Sequence, residues 1–331
     1  MDSLTQIVLG AAVGEAVLGK KVGNKAMLYG AIGGTIPDLD VLSSHFVDTV
    51  SALEFHRGVT HSILFCVLMS PLLGWLVSRW ERSVNWKAWS WLFFAALVTH
   101  PILDAHTTWG TQLFWPLDLR LAFKNIFVID PLYTLPFLVC LVIAMFQKRG
   151  SRKRISWNWL GIGLSSVYML ITIALKGITY LEFKRALDSQ GIVYQEIETR
   201  PSPFNTIMWS ANVNVKDGFM LADYSLFDSK PIAFEFIPKQ EFLLKGLVDE
   251  DKVNRLKAIT QGWYSVSSTN DKLYLNDLRF GLIDNRPGHE TFAFSFLLEK
   301  TPNGLTVTEI PKNKDNAKML MANLWQRIKG N

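Results

Sequence analysis

Residues 155–175 run for twenty-one positions without a charged side chain. An α-helix needs about 20 apolar residues to cross a hydrocarbon core, so this stretch reads as a membrane helix. Five further apolar stretches precede it, at residues 4–18, 26–42, 61–77, 88–103 and 126–146, with the sixth at 157–175. The first, second and fourth are shorter and contain Glu15, Pro37-Asp38 and His100-Pro101, which marks them as tilted, broken or re-entrant. Tryptophans flank several runs, Trp75, Trp80, Trp86, Trp115 and Trp157 among them, as they do at membrane–water interfaces.

Charge is distributed unevenly. Residues 1–180 hold 15 Lys+Arg and 10 Asp+Glu, whereas residues 181–331 hold 19 of each, so the whole net charge of +5 lies in the apolar half. That pattern argues against nucleic acid as a partner, because a nucleic-acid footprint clusters basic residues on a soluble domain. If all six stretches span, the first, third and fifth connections carry eleven basic residues: Lys20, Lys21 and Lys25; Arg79, Arg82 and Lys87; and Lys148, Arg149, Arg152, Lys153 and Arg154. The second and fourth carry three, Arg57, Arg120 and Lys124. The positive-inside rule then places the chain after residue 175 outside the cytoplasm, which in a bacterial inner membrane is the periplasm. Cys66 and Cys140 lie within apolar runs and read as small buried hydrophobes. The start "MDSLTQIVLG" has no basic n-region, so no cleaved signal peptide is expected.

From about Tyr180 the texture changes. "GIVYQEIETR", "IMWSANVNV", "GFMLADYSLFD", "PIAFEFIP", "KLYLNDLRFGLI" and "ETFAFSFLLEK" read as strands, and residues 239–259 and 314–328 as amphipathic helices. The expected fold is a polytopic α-helical membrane domain of about six apolar helices over residues 1–178, followed by a soluble α+β domain over 179–331.

Five of the six histidines fall between His45 and His106, and Asp38, Asp40 and Asp104 share that interval. They form three motifs, "PDLD" at 37–40, "HRGVTH" at 56–61 and "HPILDAH" at 100–106. In the six-span arrangement all three reach the same membrane face. That alternation follows from lysines and arginines, so the histidines agree with it independently. Imidazole nitrogens and carboxylate oxygens suit zinc, and also manganese and iron. Asp38, Asp40, His56, His61, His100 and Asp104 are the candidate ligands. His100 and Asp104 share a helix face, and Arg57 offers a planar fork for phosphate or carboxylate. An ionisable residue within a membrane segment is a functional candidate by default, which adds Glu15. Asp130, in "VIDPLY", reads either as a helix cap or as a partner of a ligand.

Taken in order, "MDSLTQIVLGAAVGEA", "PDLD", "HRGVTHS", "HPILDAHTTWG", "WPLD" and "DPLY" resemble the LexA-regulated inner-membrane metal-dependent hydrolases of bacteria over about residues 1–180. The resemblance implies a multi-pass inner-membrane protein with a metal-dependent hydrolase site on Glu15, Asp38, Asp40, His56, Arg57, His61, His100 and Asp104. In that reading a divalent metal activates water against an ester or phosphoester. Arg57 offsets developing charge, and Asp40 or Glu15 takes the proton. A site at the outer membrane boundary favours a lipid or lipid-linked phosphate as substrate. The alternative is a metal-binding or ion- or proton-translocating protein without hydrolysis. Oligomeric state is not legible in the sequence.

Overall fold

The computed structural model describes residues 1–247, 250–284, 291–302, 304–311 and 317–331. The chain divides into two compact units: residues 1–43, 55–175 and 203–205 in one, and 44–54, 176–202 and 206–331 in the other.

The first unit is helical, although the third helix up to Glu54 and the seventh after residue 175 belong to the second unit. Helix α1 spans Ser3–Val22 and α2 spans Asn24–Thr35, followed by a 3-10 turn at Pro37–His45. Helix α3 is Thr49–Phe55, and a second 3-10 turn, Val59–His61, leads into α4, Ile63–Trp80. Helices α5, Trp86–Asp104, α6, Pro131–Met145, and α7, Arg152–Ser189, complete the set. Side-chain caps fix four of the starts. Asp2 accepts from the Thr5 amide, Ser62 from Phe65, Asn85 from Ala88, and Asp130 from Leu132 and Tyr133. Asp130 therefore acts as a helix cap, and its second oxygen accepts from the Tyr168 hydroxyl at 2.9 Å.

Six full spans are not what forms. Among the described residues two helices are long and apolar enough to cross a membrane, α4 and α7, with α6 a shorter apolar helix. Only 22% and 17% of their apolar windows are buried, so neither is the core helix of a soluble protein. The other stretches fall short for physical reasons. At 12 residues α2 is only about 18 Å long, against a hydrocarbon core of about 30 Å. Glu15, Lys20 and Lys21 interrupt α1, and α5 carries Lys87, three tryptophans, His100 and Asp104.

Two contacts organise this unit. Helices α1 and α2 meet through glycines: a Cβ on Gly10 would stand 2.4 Å from the Gly30 carbonyl oxygen, and one on Gly14 would stand 2.2 Å from that of Ala26. The Gly-x-x-x-Gly spacing on both helices permits this approach. The second contact is a buried ion pair. Arg154 of α7 donates from Nε and Nη2 to the two carboxylate oxygens of Glu15, each at 2.6 Å, and Asn158 Nδ2 donates to Ala12 O at 3.0 Å. The turns rich in basic residues gather at one end. Lys25 pairs with Glu81 at 2.8 Å, Arg149 Nη1 donates to Lys21 O at 3.4 Å, and Asn24 Nδ2 donates to Met145 O at 3.3 Å.

The second unit holds two antiparallel four-stranded meanders. One is β1 (Glu196–Pro201), β2 (Met208–Val215), β3 (Gly218–Ser225) and β4 (Glu235–Pro238). The other is β5 (Tyr264–Thr269), β6 (Lys272–Asp284), β7 (Thr291–Thr301) and β8 (Gly304–Glu309). Residues 239–259 do not form one helix. A 3-10 turn at Glu241–Leu244 and a left-handed Gly246 precede α8, Asp251–Ile259. The last helix is α9, Ala317–Ile328. Residues 248–249, 290 and 314–316 of the expected elements lie outside the described residues.

The Glu15–Arg154 pair gives a direct test. Removing one partner strands a buried charge, so Glu15→Ala should destabilise the protein by about 3–5 kcal/mol, whereas replacing both residues by apolar ones of similar size should recover most of that. Thermal melts of the detergent-solubilised variants would show it. Equal melting temperatures for wild type and Glu15→Ala would refute a structural role for the pair.

Candidate metal centre

Three segments of the helical unit supply the centre. The turn after α2 presents Asp38 and Asp40. Helix α5 runs through Pro101 to its last turn, where His100 and Asp104 lie four residues apart on one face. Between α3 and α4 the chain reverses at Arg57, whose φ of +59° is left-handed. That conformation is costly for a residue with a Cβ. It is held from both sides: the Arg57 amide donates to Asp40 Oδ2 at 2.8 Å, and Nη1 of its guanidinium donates to Thr107 Oγ1 at 2.7 Å.

The reversal brings His61 against His100. Their Nε2 atoms face each other at 3.1 Å. Asp38 Oδ1 lies 3.3 Å from His100 Nε2 and 3.6 Å from His61 Nε2. Asp104 Oδ2 lies 3.7 Å and 3.6 Å from the same two nitrogens. One ligand atom from each of these four residues falls within 4.8 Å of every other. His61, His100 and Asp104 are fully buried, while the Asp38 side chain is 26% exposed and marks the open side.

The donor set fits a divalent cation. His100 Nδ1 donates to Gly34 O at 2.6 Å, which leaves its Nε2 lone pair aimed inward. Two lone pairs at 3.1 Å repel each other unless a proton or a cation lies between them. Asp104 Oδ2 is buried without a hydrogen bond; Arg57 Nε, 2.9 Å away, is out of line for one. Ligand atoms about 2.0–2.1 Å from a tetrahedral zinc stand about 3.3 Å apart. Five of the six edges here span 3.1–3.7 Å, and the sixth, between Asp38 and Asp104, lies within 4.8 Å.

Asp40 stands one step back. Besides the Arg57 amide, its carboxylate meets His56 Nδ1 at 3.1 Å, Thr60 Oγ1 at 3.2 Å and His61 Nδ1 at 3.4 Å. A carboxylate behind a ligand histidine fixes the ring and its tautomer. Burial raises the Asp40 carboxyl, but hydrogen bonds from His56 and His61 outweigh it and hold the group well below the ordinary carboxylate range. Asp38 is lowered in the same way by His100 and His61. Burial alone would lower His61, but Asp104, Asp38 and Asp40 raise it to about 9.

The family described as YdjM inner membrane protein matches residues 1–179. The chain belongs to this family. Inner membrane protein YbcI of Escherichia coli (strain K12) is 30% identical over 112 residues, which cover 34% of this chain and 64% of that relative, or just under two thirds of its length. No solved structure matches. The YdjM family match covers the whole helical stretch that carries the centre, and neither name specifies a reaction.

Of the candidates read from the sequence, Asp38, His61, His100 and Asp104 come together in this YdjM-family chain, with Arg57 beside them. Asp40 and His56 sit behind His61, outside the group of four. Glu15 is not brought to the centre. It lies nine residues further along α1 than Gln6, about 14 Å on a helix, and Arg154 occupies both its oxygens. Gln6 itself was not singled out. Its Nε2 donates to Asp104 Oδ1 at 2.9 Å, and the Met1 α-amino group donates to the same oxygen. The cue in the sequence was the amide at 6 in helical register with Gly10 and Gly14.

Asp40→Asn should keep the fold and weaken zinc or cobalt binding about 10- to 100-fold, because the His61 ring loses its anionic support. Titration of the purified variant against wild type measures this. Unchanged affinity would remove Asp40 from its supporting role.

Proposed function

We propose that this inner-membrane-family protein is a metal-dependent hydrolase that cleaves an ester or phosphoester, with a lipid or lipid-linked phosphate as substrate class. The observation that carries the reading is the set of four ligand atoms closing on one point from three separate segments. Zinc suits the two imidazoles and two carboxylates best, with manganese or iron as alternatives. His61, His100 and Asp104 would hold a divalent cation and leave a position for a water, whose pKa the cation would lower to about 7.

The chain's own groups divide the remaining work. Asp40 is committed to the Arg57 amide, Thr60 and the two histidines, so it orients His61 instead of taking a proton. Asp38, at the open side, is the carboxylate placed to accept a proton from water. Arg57 keeps a guanidinium next to Asp104, where it favours an incoming phosphate and the charge that develops on it. The basic turns cluster at the end of the helical unit away from these residues, which supports placing the centre and the C-terminal domain at the outer, periplasmic face. Lipid headgroups are presented at that boundary.

The purified protein should hold near-stoichiometric zinc by elemental analysis and should hydrolyse at least one member of a panel of phospholipids and isoprenoid phosphates. His61→Ala and His100→Ala should lose both metal and turnover. Metal bound without turnover on any substrate would favour a metal-binding role, and no metal in the wild type would sink the hydrolase reading.

A further inference from the structure

The C-terminal unit is not built only from the C-terminal sequence. It includes residues 44–54, drawn from the connection between two of the three motifs that supply the candidate centre. Within that unit Val50 of α3 is fully buried in one hydrophobic cluster with Leu244, Val253, Leu256 and Phe296, and Leu53 packs against it. Arg255 of α8 then grips the polar side of α3. Its Nε and Nη2 donate to the Glu54 carboxylate at 2.9 and 2.5 Å, and Nη2 also donates to Ser51 Oγ at 2.8 Å. A bidentate Arg–carboxylate pair fixes orientation as well as distance.

Both ends of α3 lead directly to the centre. Asp38 and Asp40 lie a few residues before Ser44. After Glu54 only Phe55 intervenes before His56, and the next residue is the left-handed Arg57. The α3 clamp and the 56–61 segment are thus joined through a single residue, Phe55.

We infer that Val50, Glu54 and Arg255 are positioning residues, through which the C-terminal domain holds α3 and sets the conformation of the 56–61 segment. The inference gives residues 179–331 a part in assembling the centre. Its link to catalysis rests on the proposed function, but its structural content does not need a bound metal.

The test is amide hydrogen exchange on the full-length protein in detergent, comparing wild type, Arg255→Glu, Val50→Asp, and the swapped pair Glu54→Arg with Arg255→Glu. The expected result is faster exchange over 44–54 in each single variant, accompanied by faster exchange over 56–61, including the Arg57 amide. The swapped pair should return both segments towards wild type. Zinc affinity should fall about tenfold or more in Arg255→Glu, as when the support behind a ligand is lost. Loosening of 44–54 with exchange over 56–61 unchanged overturns the inference. So does failure of both Arg255→Glu and Val50→Asp to loosen 44–54. If the wild type proves to bind no metal, the hydrolase reading fails, while the exchange result still decides this one.

Discussion

At the contact between α1 and α2 the backbones come so close that a Cβ on Gly30 would stand 2.2 Å from the Gly10 carbonyl oxygen. Apolar side chains gain little from one another in lipid, so close packing of small residues and hydrogen bonds hold such helices together. The end of that contact builds the centre. Gly34, the last of the four glycines, has its carbonyl oxygen free of any side chain of its own and offers it to His100 Nδ1 at 2.6 Å. Gln6, in register with Gly10 and Gly14 on α1, reaches Asp104 at 2.9 Å. A larger residue at Gly34 would meet the Gln6 carbonyl, since a Cβ there stands 2.6 Å from it. It would move the His100 anchor and the Asp104 anchor together.

Electrostatics divides the helical unit into two ends with different solutions. At the basic end Glu15 and Arg154 neutralise each other with two matched hydrogen bonds, and nothing is left over for a ligand. At the other end His61, His100, Asp38 and Asp104 converge, with Arg57 and the Met1 amino group beside Asp104. The Nε2 atoms of His61 and His100 face each other at 3.1 Å and one buried carboxylate oxygen has no hydrogen bond. A buried polar group without a partner is costly, so a cation-sized group of ligand atoms such as this one could hold a metal ion. The same contrast explains why Glu15, an ionisable residue deep in an apolar helix, is structural whereas Asp104 belongs to the centre.

The sequence made some of this plain and hid the rest. The three polar motifs were legible because histidine and aspartate are rare beside apolar runs, but the six-span alternation from which their convergence was expected does not form. The number of spans was not legible. Apolar character alone does not separate α2, which stops at 12 residues, from α4, which continues to 18. Strand β5, "YSVSST", is not legible as a strand because its polar residues pair across the sheet, with Asn276 donating to Ser267 at 3.0 Å. Residues 44–54 gave no sign that they belong to a domain starting more than a hundred residues later. Val50 and Leu53 are ordinary apolar residues until Arg255 and Leu256 fold beside them.

Residue type also could not rank Asp38 against Asp40. Both lie in "PDLD" and both are competent ligands, and two positions apart they read as one wrapping segment. The structure separates them by their partners. Asp40 meets an amide, a hydroxyl and two imidazole Nδ1 atoms, so its lone pairs are taken by donors of the chain itself. Asp38 faces the Nε2 atoms of His61 and His100, and it keeps contact with solvent. Metal affinity in such a pair is divided between making the bond and holding the histidine that makes it. Exchanging the two roles would require the 37–45 turn to rotate, which the hydrogen bond from the Arg57 N–H to Asp40 opposes.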